Sequence, residues 1–170
     1  MLASLLLALA APAPQDADPL APARQGKLRC IAPDVRAHSC GTIVQYTVQP
    51  DGRYDAVVRG VVQTEPLIAI EYKLAGQVED GAVCATVRPA DFTAGKLSKD
   101  GAPLVPAVES QIRQQLMLAL QPLAGHKRCY RDRPDGDRVI GEVTIDGQPQ
   151  GTMNQRAIWV KPEDGYALGL

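Results

Sequence analysis

The segment "TIVQYTVQPDGRYDAVVRGVVQ", residues 42–63, decides the fold class. Val44, Tyr46 and Val48 alternate with Gln45, Thr47 and Gln49, a repeat of two that places one side of an extended chain in an apolar interior and the other in water. Pro50-Asp51-Gly52 follows, in which proline fixes one backbone torsion of a tight turn and glycine accepts the positive one. The chain then returns with Tyr54, Ala56, Val58 and Val62 on one side. The spacing predicts a β-hairpin, with Gly60 marking a bulge or a point of close packing on its apolar face.

The pattern continues outward from this hairpin. Residues 67–75 place Ile68, Ile70, Tyr72 and Leu74 inward and Glu71 and Lys73 outward; Glu79-Asp80-Gly81 turns the chain, and residues 82–88 return carrying Cys84. Four consecutive antiparallel strands joined by short turns make a meander. Residues 89–105, with Pro89, Gly95, Gly101 and Pro103, read as loop. A helix is predicted over residues 106–121, because Val108, Ile112, Leu116, Ala119, Leu120 and Leu123 recur at helical spacing, Pro106 suits a first turn, and Pro122 with Gly125 ends it. Its second half, "LMLAL" at 116–120, is apolar nearly all round and predicts cover on more than one side. Strands resume with "HKRCYRDR" (126–133), a turn at Pro134-Asp135-Gly136, and "RVIGEVTI" (138–145), which presents Val139, Val143 and Ile145 on one face. "RAIWVK" (156–161) is expected to face "YALGL" (166–170) across a turn at residues 162–165. The fold class expected is α+β: an antiparallel β-meander of about seven to eight strands with one amphipathic α-helix packed on the sheet, and disulfides within it.

Residues 2–11 form a charge-free apolar run, shorter than the roughly 20 residues needed to span a bilayer. Ala8-Leu9-Ala10 supplies the small-x-small pattern of a signal peptidase site, although no Lys or Arg precedes the run. The chain is therefore expected to comprise a signal peptide (1–10), a disordered Ala/Pro-rich leader (11–26) and a single α+β domain (27–170), periplasmic or secreted, with no membrane insertion after signal removal. A formal net charge of -1 and an aromatic content of 4% leave neither a basic excess nor many stacking platforms, so no nucleic-acid partner is expected.

Four cysteines in an exported chain read first as two disulfides. Cys30 and Cys40 bracket a turn-prone loop, which leaves Cys84 and Cys129 as the second pair. His38 beside Cys40 and His126 near Cys129 raise two alternatives: a thiolate nucleophile at Cys40 with His38 or His126 as its base, or a zinc site drawn from Cys30, His38, Cys40, His126 and Cys129. No C-x-x-C or other paired knuckle supports zinc, and an oxidising compartment would capture the Cys40 thiol, so no metal and no cofactor is expected. Serine-elbow, phosphate-loop and zincin signatures are absent from the sequence. Glu65, Glu71, Glu142, Asp80, Asp91 and Asp135 are the acids from which a carboxylate pair would be drawn, but they read as turn or solvent-facing residues. Arg128, Arg131 and Arg133 form the candidate ligand-binding cluster, guanidinium being suited to carboxylate and phosphate.

The function expected is an exported, non-catalytic binding or structural module whose partner is an unidentified small molecule or envelope protein. The alternative is an exported hydrolase or thiol enzyme using Cys40.

Overall fold

Hairpin after hairpin carries the chain round a ring until its last long strand meets its first. A computed structural model describes residues 18–169. A short helix, α1 (Ala21–Arg24), precedes β1 (Leu28–Asp34), β2 (Ser39–Val48), β3 (Arg53–Gln63), β4 (Ile68–Glu79) and β5 (Ala82–Thr86). Then come α2 (Pro89–Thr93), β6 (Lys96–Lys99), β7 (Ala102–Pro103) and the long helix α3 (Pro106–Leu120). The C-terminal part holds β8 (Lys127–Asp135), β9 (Arg138–Ile145), β10 (Gln148–Pro149), β11 (Gln155–Val160) and β12 (Ala167–Leu168). Strands β1 to β5, then β8, β9 and β11, pair antiparallel in that order. β11 pairs back onto β1, with Leu28 opposite Val160 and Ile31 opposite Ala157. The result is a ring of eight strands within a sheet of twelve, a closed barrel of a size whose interior either fills with side chains or holds one small ligand.

The mostly antiparallel sheet, the one long helix and the disulfides agree with the expected class, but the sheet has twelve strands rather than seven to eight, and eight of them close into a ring. The strands and their inward faces follow from alternation, but pairing Leu28 with Val160 is a contact between chain ends that no local pattern encodes. The segment 89–105 is also more than a loop. β4 is longer than β5, so Gln77–Glu79 pairs with β5 while the first residues of β4 present an edge, and β6 returns to pair Ile68 with Lys99 and Ile70 with Leu97. Gly95 fits at this return because a β-carbon there would lie 3.0 Å from the Glu71 carbonyl oxygen and 3.1 Å from the Phe92 carbonyl oxygen. The C-terminal segment does not form a hairpin with β11; β12 pairs parallel with β2, Ala167 opposite Ser39 and Leu168 opposite Cys40. In β3 the irregularity falls between Val61 and Gln63, which turns Val62 outward, whereas Gly60 keeps its place opposite Thr42 and Ile70.

The expected leader also ends earlier than its composition suggests. Residues 1–17, which include the expected signal peptide, lie outside the described residues, but Leu20 and Ala23 of the expected leader are buried in the barrel core, Leu20 with none of its surface exposed. Arg24 fixes α1 at one end of the barrel, donating to the carbonyl oxygens of Val48 and Gln49 at 3.5 and 3.2 Å. Burial of Leu20 and Ala23 together with the hydrogen bonds of Arg24 holds a short segment that a low average hydrophobicity would leave free.

Three apolar clusters result. Inside the barrel, Val44, Tyr54, Ala56, Val58, Val83, Tyr130 and Val143 meet Leu20 and Ala23. On the opposite face of β1, β2 and β11, Cys30, Cys40, Ile43 and Val160 are covered by Tyr166 and Leu168. The third cluster joins Ile68, Ile70 and Leu97 to Ile112 of α3, with Leu116 against them. The long helix thus lies over one rim of the barrel through a single stripe, and Leu118 is 62% exposed, so the cover expected for "LMLAL" on several sides is not there. One apolar stripe of the helix is enough to cover Ile68, Ile70 and Leu97. Cys30 is bonded to Cys40, tying β1 to β2, and Cys84 to Cys129, at directly opposed positions of β5 and β8. In the chain-entropy treatment these cross-links stabilise by roughly 3 and about 4 kcal/mol.

Leu20→Ala is expected to lower the unfolding free energy by about 2–5 kcal/mol, because it opens a hole at the closed end of the barrel. Leu118→Ala on the exposed helix face is expected to stay within about 0.5 kcal/mol. Urea unfolding of the oxidised protein measures both.

Candidate functional site

The inward positions of the ring do not fill it completely. Ala56 and Ala85 stand where larger side chains would meet in the middle, and a cavity of about 310 Å³ remains, walled by Ile31, Val44, Val58, Leu74 and Val83. Tyr46, Tyr54 and Tyr130 also line it, and α1 closes the barrel end at Val48 and Gln49. Toward the other end the lining comes from Thr86, Arg88, Asp91 and Phe92 around α2, from Leu120 and Leu123 where α3 ends, and from Arg128 of β8. A groove between α3 and the β3–β4 hairpin meets the cavity at Thr42, Val58, Tyr72 and Phe92.

A buried ion pair anchors the tyrosines. Arg29 is 1% exposed; its Nη1 donates to Asp132 Oδ2 and its Nη2 to Asp132 Oδ1 at 2.7 Å. The guanidinium lies 4.2 Å from the centroid of the Tyr130 ring and 5.6 Å from that of Trp159. Gly141 leaves space for the pair, since a β-carbon there would sit 3.0 Å from Arg29 Nη2. Burial opposes the charge on Arg29, yet Tyr130 and the Asp132 carboxylate outweigh it and raise the arginine above its ordinary pKa. The Arg29 Nε is buried without a hydrogen-bond partner among the described residues. Tyr130 and Tyr46 share a hydroxyl–hydroxyl hydrogen bond of 2.9 Å, and Tyr54 donates to the Cys84 carbonyl at 2.9 Å. Gly76 allows this last contact, because a β-carbon there would collide with both the carbonyl and the hydroxyl. Burial pushes the phenols of Tyr72 and Tyr130 up to about 12, and those of Tyr46 and Tyr54 also well above the ordinary value.

The charged residues lining the cavity are Arg88, Asp91 and Arg128. Arg88 and Asp91 neutralise each other, Nε to Oδ2 at 3.0 Å. Arg128 is half-buried, and its side chain makes no hydrogen bond or ion pair among the described residues.

The sequence candidates divide accordingly. Arg128 faces inward, whereas Arg131 and Arg133, one residue out of phase with it and Tyr130, are exposed on the outer surface. There Arg131 donates to the Asp80 carbonyl and Arg133 to Glu142 Oε1 at 2.8 Å. The three arginines are neighbours in sequence but do not form one cluster, because a strand sends alternate side chains to opposite faces. Cys40 has its sulfur bonded to Cys30 and is no nucleophile. His38 is exposed in the β1–β2 turn, donating to the Asp164 carbonyl at 3.1 Å and stacked on Tyr166, and His126 is exposed with Nδ1 2.5 Å from Asp146 Oδ2. With all four cysteines in disulfides the zinc set considered above does not exist, and the described residues hold no other group of three or more His, Cys, Asp or Glu placed to bind a metal. Sequence reasoning did not single out Arg29 and Asp132 as partners, separated as they are by 103 residues. A charged residue at an inward strand position, between Leu28 and Cys30, was the available signal.

No protein-family model, curated protein or solved structure matches the chain. The two disulfides, and a helix content among the described residues that includes none long and apolar enough to cross a membrane, are compatible with an extracytoplasmic protein.

Asp132→Ala, which leaves the Arg29 charge buried and unpaired, is expected to cost about 3–5 kcal/mol, and the double change Arg29→Met with Asp132→Leu is expected to recover most of it. Urea unfolding of the two variants checks this. Alkali gives a second check. Phenols whose pKa is raised on folding favour the native state fully below their unfolded value of about 10, and that contribution is lost as pH rises through the folded values, near 12 for Tyr72 and Tyr130. Phenolate absorbance should therefore show four of the five tyrosines resisting ionisation beyond pH of about 10, then ionising together with unfolding.

Proposed function

We propose that this protein is an exported, non-catalytic binding protein that holds one small, largely apolar molecule inside its barrel, in the periplasm or the secreted medium. The observation that carries the reading is the cavity itself: about 310 Å³, walled by inward aliphatic and tyrosine side chains and open at the rim formed by α2 and the end of α3. Cavities of this size with mainly apolar walls and a few polar groups are the usual form of small-molecule sites. A purely structural module would gain stability by filling the space, since each buried methylene contributes about 0.8 kcal/mol. Export is supported by two cross-links that a reducing cytosol disfavours. The rival reading, a hydrolase or thiol enzyme built on Cys40, has no free thiol to work with and no histidine beside the cavity.

The neutral fluorophore N-phenylnaphthylamine is expected to brighten and bind saturably to the native protein. Ala85→Phe, which projects into the cavity from β5, is expected to weaken that binding by roughly tenfold or more while leaving the circular dichroism unchanged. Absence of saturable binding, or equal binding by the filled variant, would refute the reading.

A further inference from the structure

The cavity is apolar but not electrically neutral. Of its three charged lining residues, Arg88 and Asp91 form a pair 3.0 Å apart, which leaves Arg128 as the uncompensated charge. The buried pair of Arg29 and Asp132 beyond Tyr130 adds one charge of each sign and does not change that balance. Arg128 is held inward by its strand register, opposite Ala85 on β5 and Ile145 on β9, so it stands across from a small side chain where the cavity has room. Its field reaches the cavity tyrosines: burial raises the phenols of Tyr46, Tyr54 and Tyr72, and the Arg128 charge partly opposes the rise in each.

An uncompensated guanidinium among aliphatic and aromatic side chains loses hydration without gaining a partner. A partner that brings its own negative charge restores the balance, and in a partly dehydrated site such a hydrogen bond is stronger than a neutral one. Tyr72, whose ring is tilted against Phe92 at 4.3 Å between centroids, has a hydroxyl with no hydrogen-bond partner among the described residues. A planar two-oxygen anion fits the guanidinium fork. The aliphatic wall of Ile31, Val44, Val58, Leu74 and Val83 suits a hydrocarbon body.

Resting on the binding reading above, we propose that the molecule held in the barrel is a small amphiphilic monoanion, a carboxylate with a hydrocarbon body, whose head group pairs with Arg128. The proposal assigns Arg128 as a specificity residue: it selects charge, while the cavity walls select shape.

Competition against N-phenylnaphthylamine separates the two claims, using decanoate and decanol as ligands matched in chain length. Decanoate is expected to displace the fluorophore at roughly tenfold lower concentration than decanol from the native protein. Arg128→Met is expected to bring the two alcohol and carboxylate curves together while leaving decanol unchanged, and Arg128→Lys to retain part of the preference. Lowering the pH below the carboxylate range, about 4 to 5, should also abolish the preference in the native protein, an arm that requires no variant to fold. Equal displacement by decanoate and decanol from the native protein at neutral pH, with the fluorophore bound, overturns the monoanion assignment and leaves the apolar-binding reading standing. An equal loss of both ligands in Arg128→Met overturns the assignment as well, by making the residue structural. Failure of the fluorophore to bind the native protein overturns both.

Discussion

Everything in this molecule depends on β11 closing against β1. The four register pairs from Leu28–Val160 to Ile31–Ala157 turn a ribbon of hairpins into a ring, and a ring has an inside. Without that contact the apolar faces of β2, β3, β8 and β9 would belong to an open sheet needing a second layer. With it, they face one another across a space of their own, and both strand edges at the seam are satisfied at once. The C-terminal segment reinforces the seam from outside: Tyr166 and Leu168 cover Cys30, Cys40, Ile43 and Val160, and the first disulfide lies within that cover.

The barrel then divides its interior unequally. Toward α1, side chains are large and interlocked: Leu20, Tyr46, Tyr54, Tyr130, and Arg29 held between Asp132 and two aromatic rings. Toward α2 the inward strand positions include Thr42 and Ala85, and space remains beside Tyr72, Phe92 and Arg128. A tightly packed half beside a roomier half suits the proposed binding role, because the first fixes the geometry of the second. Glycines 76 and 141 belong to the tightly packed half, where the absence of a β-carbon lets the Tyr54 hydroxyl reach Cys84 and lets Arg29 reach Asp132. The insertion between β5 and β8 serves the roomier half. It extends the sheet through β6 and sets α3 along the rim.

Charge follows the same division. The deep arginine is matched by its own aspartate and contributes to the fold; the shallower one, Arg128, lies beside a pair that is already balanced and so faces the cavity alone. Two arginines of one barrel interior thus have different consequences: Arg29 reaches the Asp132 carboxylate across the interior from β1 to β8, whereas Arg128 meets only Ala85 and Ile145 on its neighbouring strands.

Much of this was legible in the residues themselves. Period-two alternation in residues 42–63 and 67–88, turn sequences such as Pro50-Asp51-Gly52, and helical spacing from Val108 to Leu120 fix local conformation, since each reflects interactions within a few residues of chain. The spacing of the cysteines was equally local for Cys30 and Cys40. What the tertiary structure alone decided are the matters of distance: closure at Leu28 and Val160, the meeting of Arg29 with Asp132, the burial of Leu20 in a segment of low hydrophobicity, and the separation of Arg128 from Arg131 and Arg133 onto opposite sides of one strand. Alternation tells which residues share a face, but whether that face looks into a cavity or onto solvent depends on where strands more than a hundred residues apart come to lie, and that is settled by burial of the whole apolar surface together.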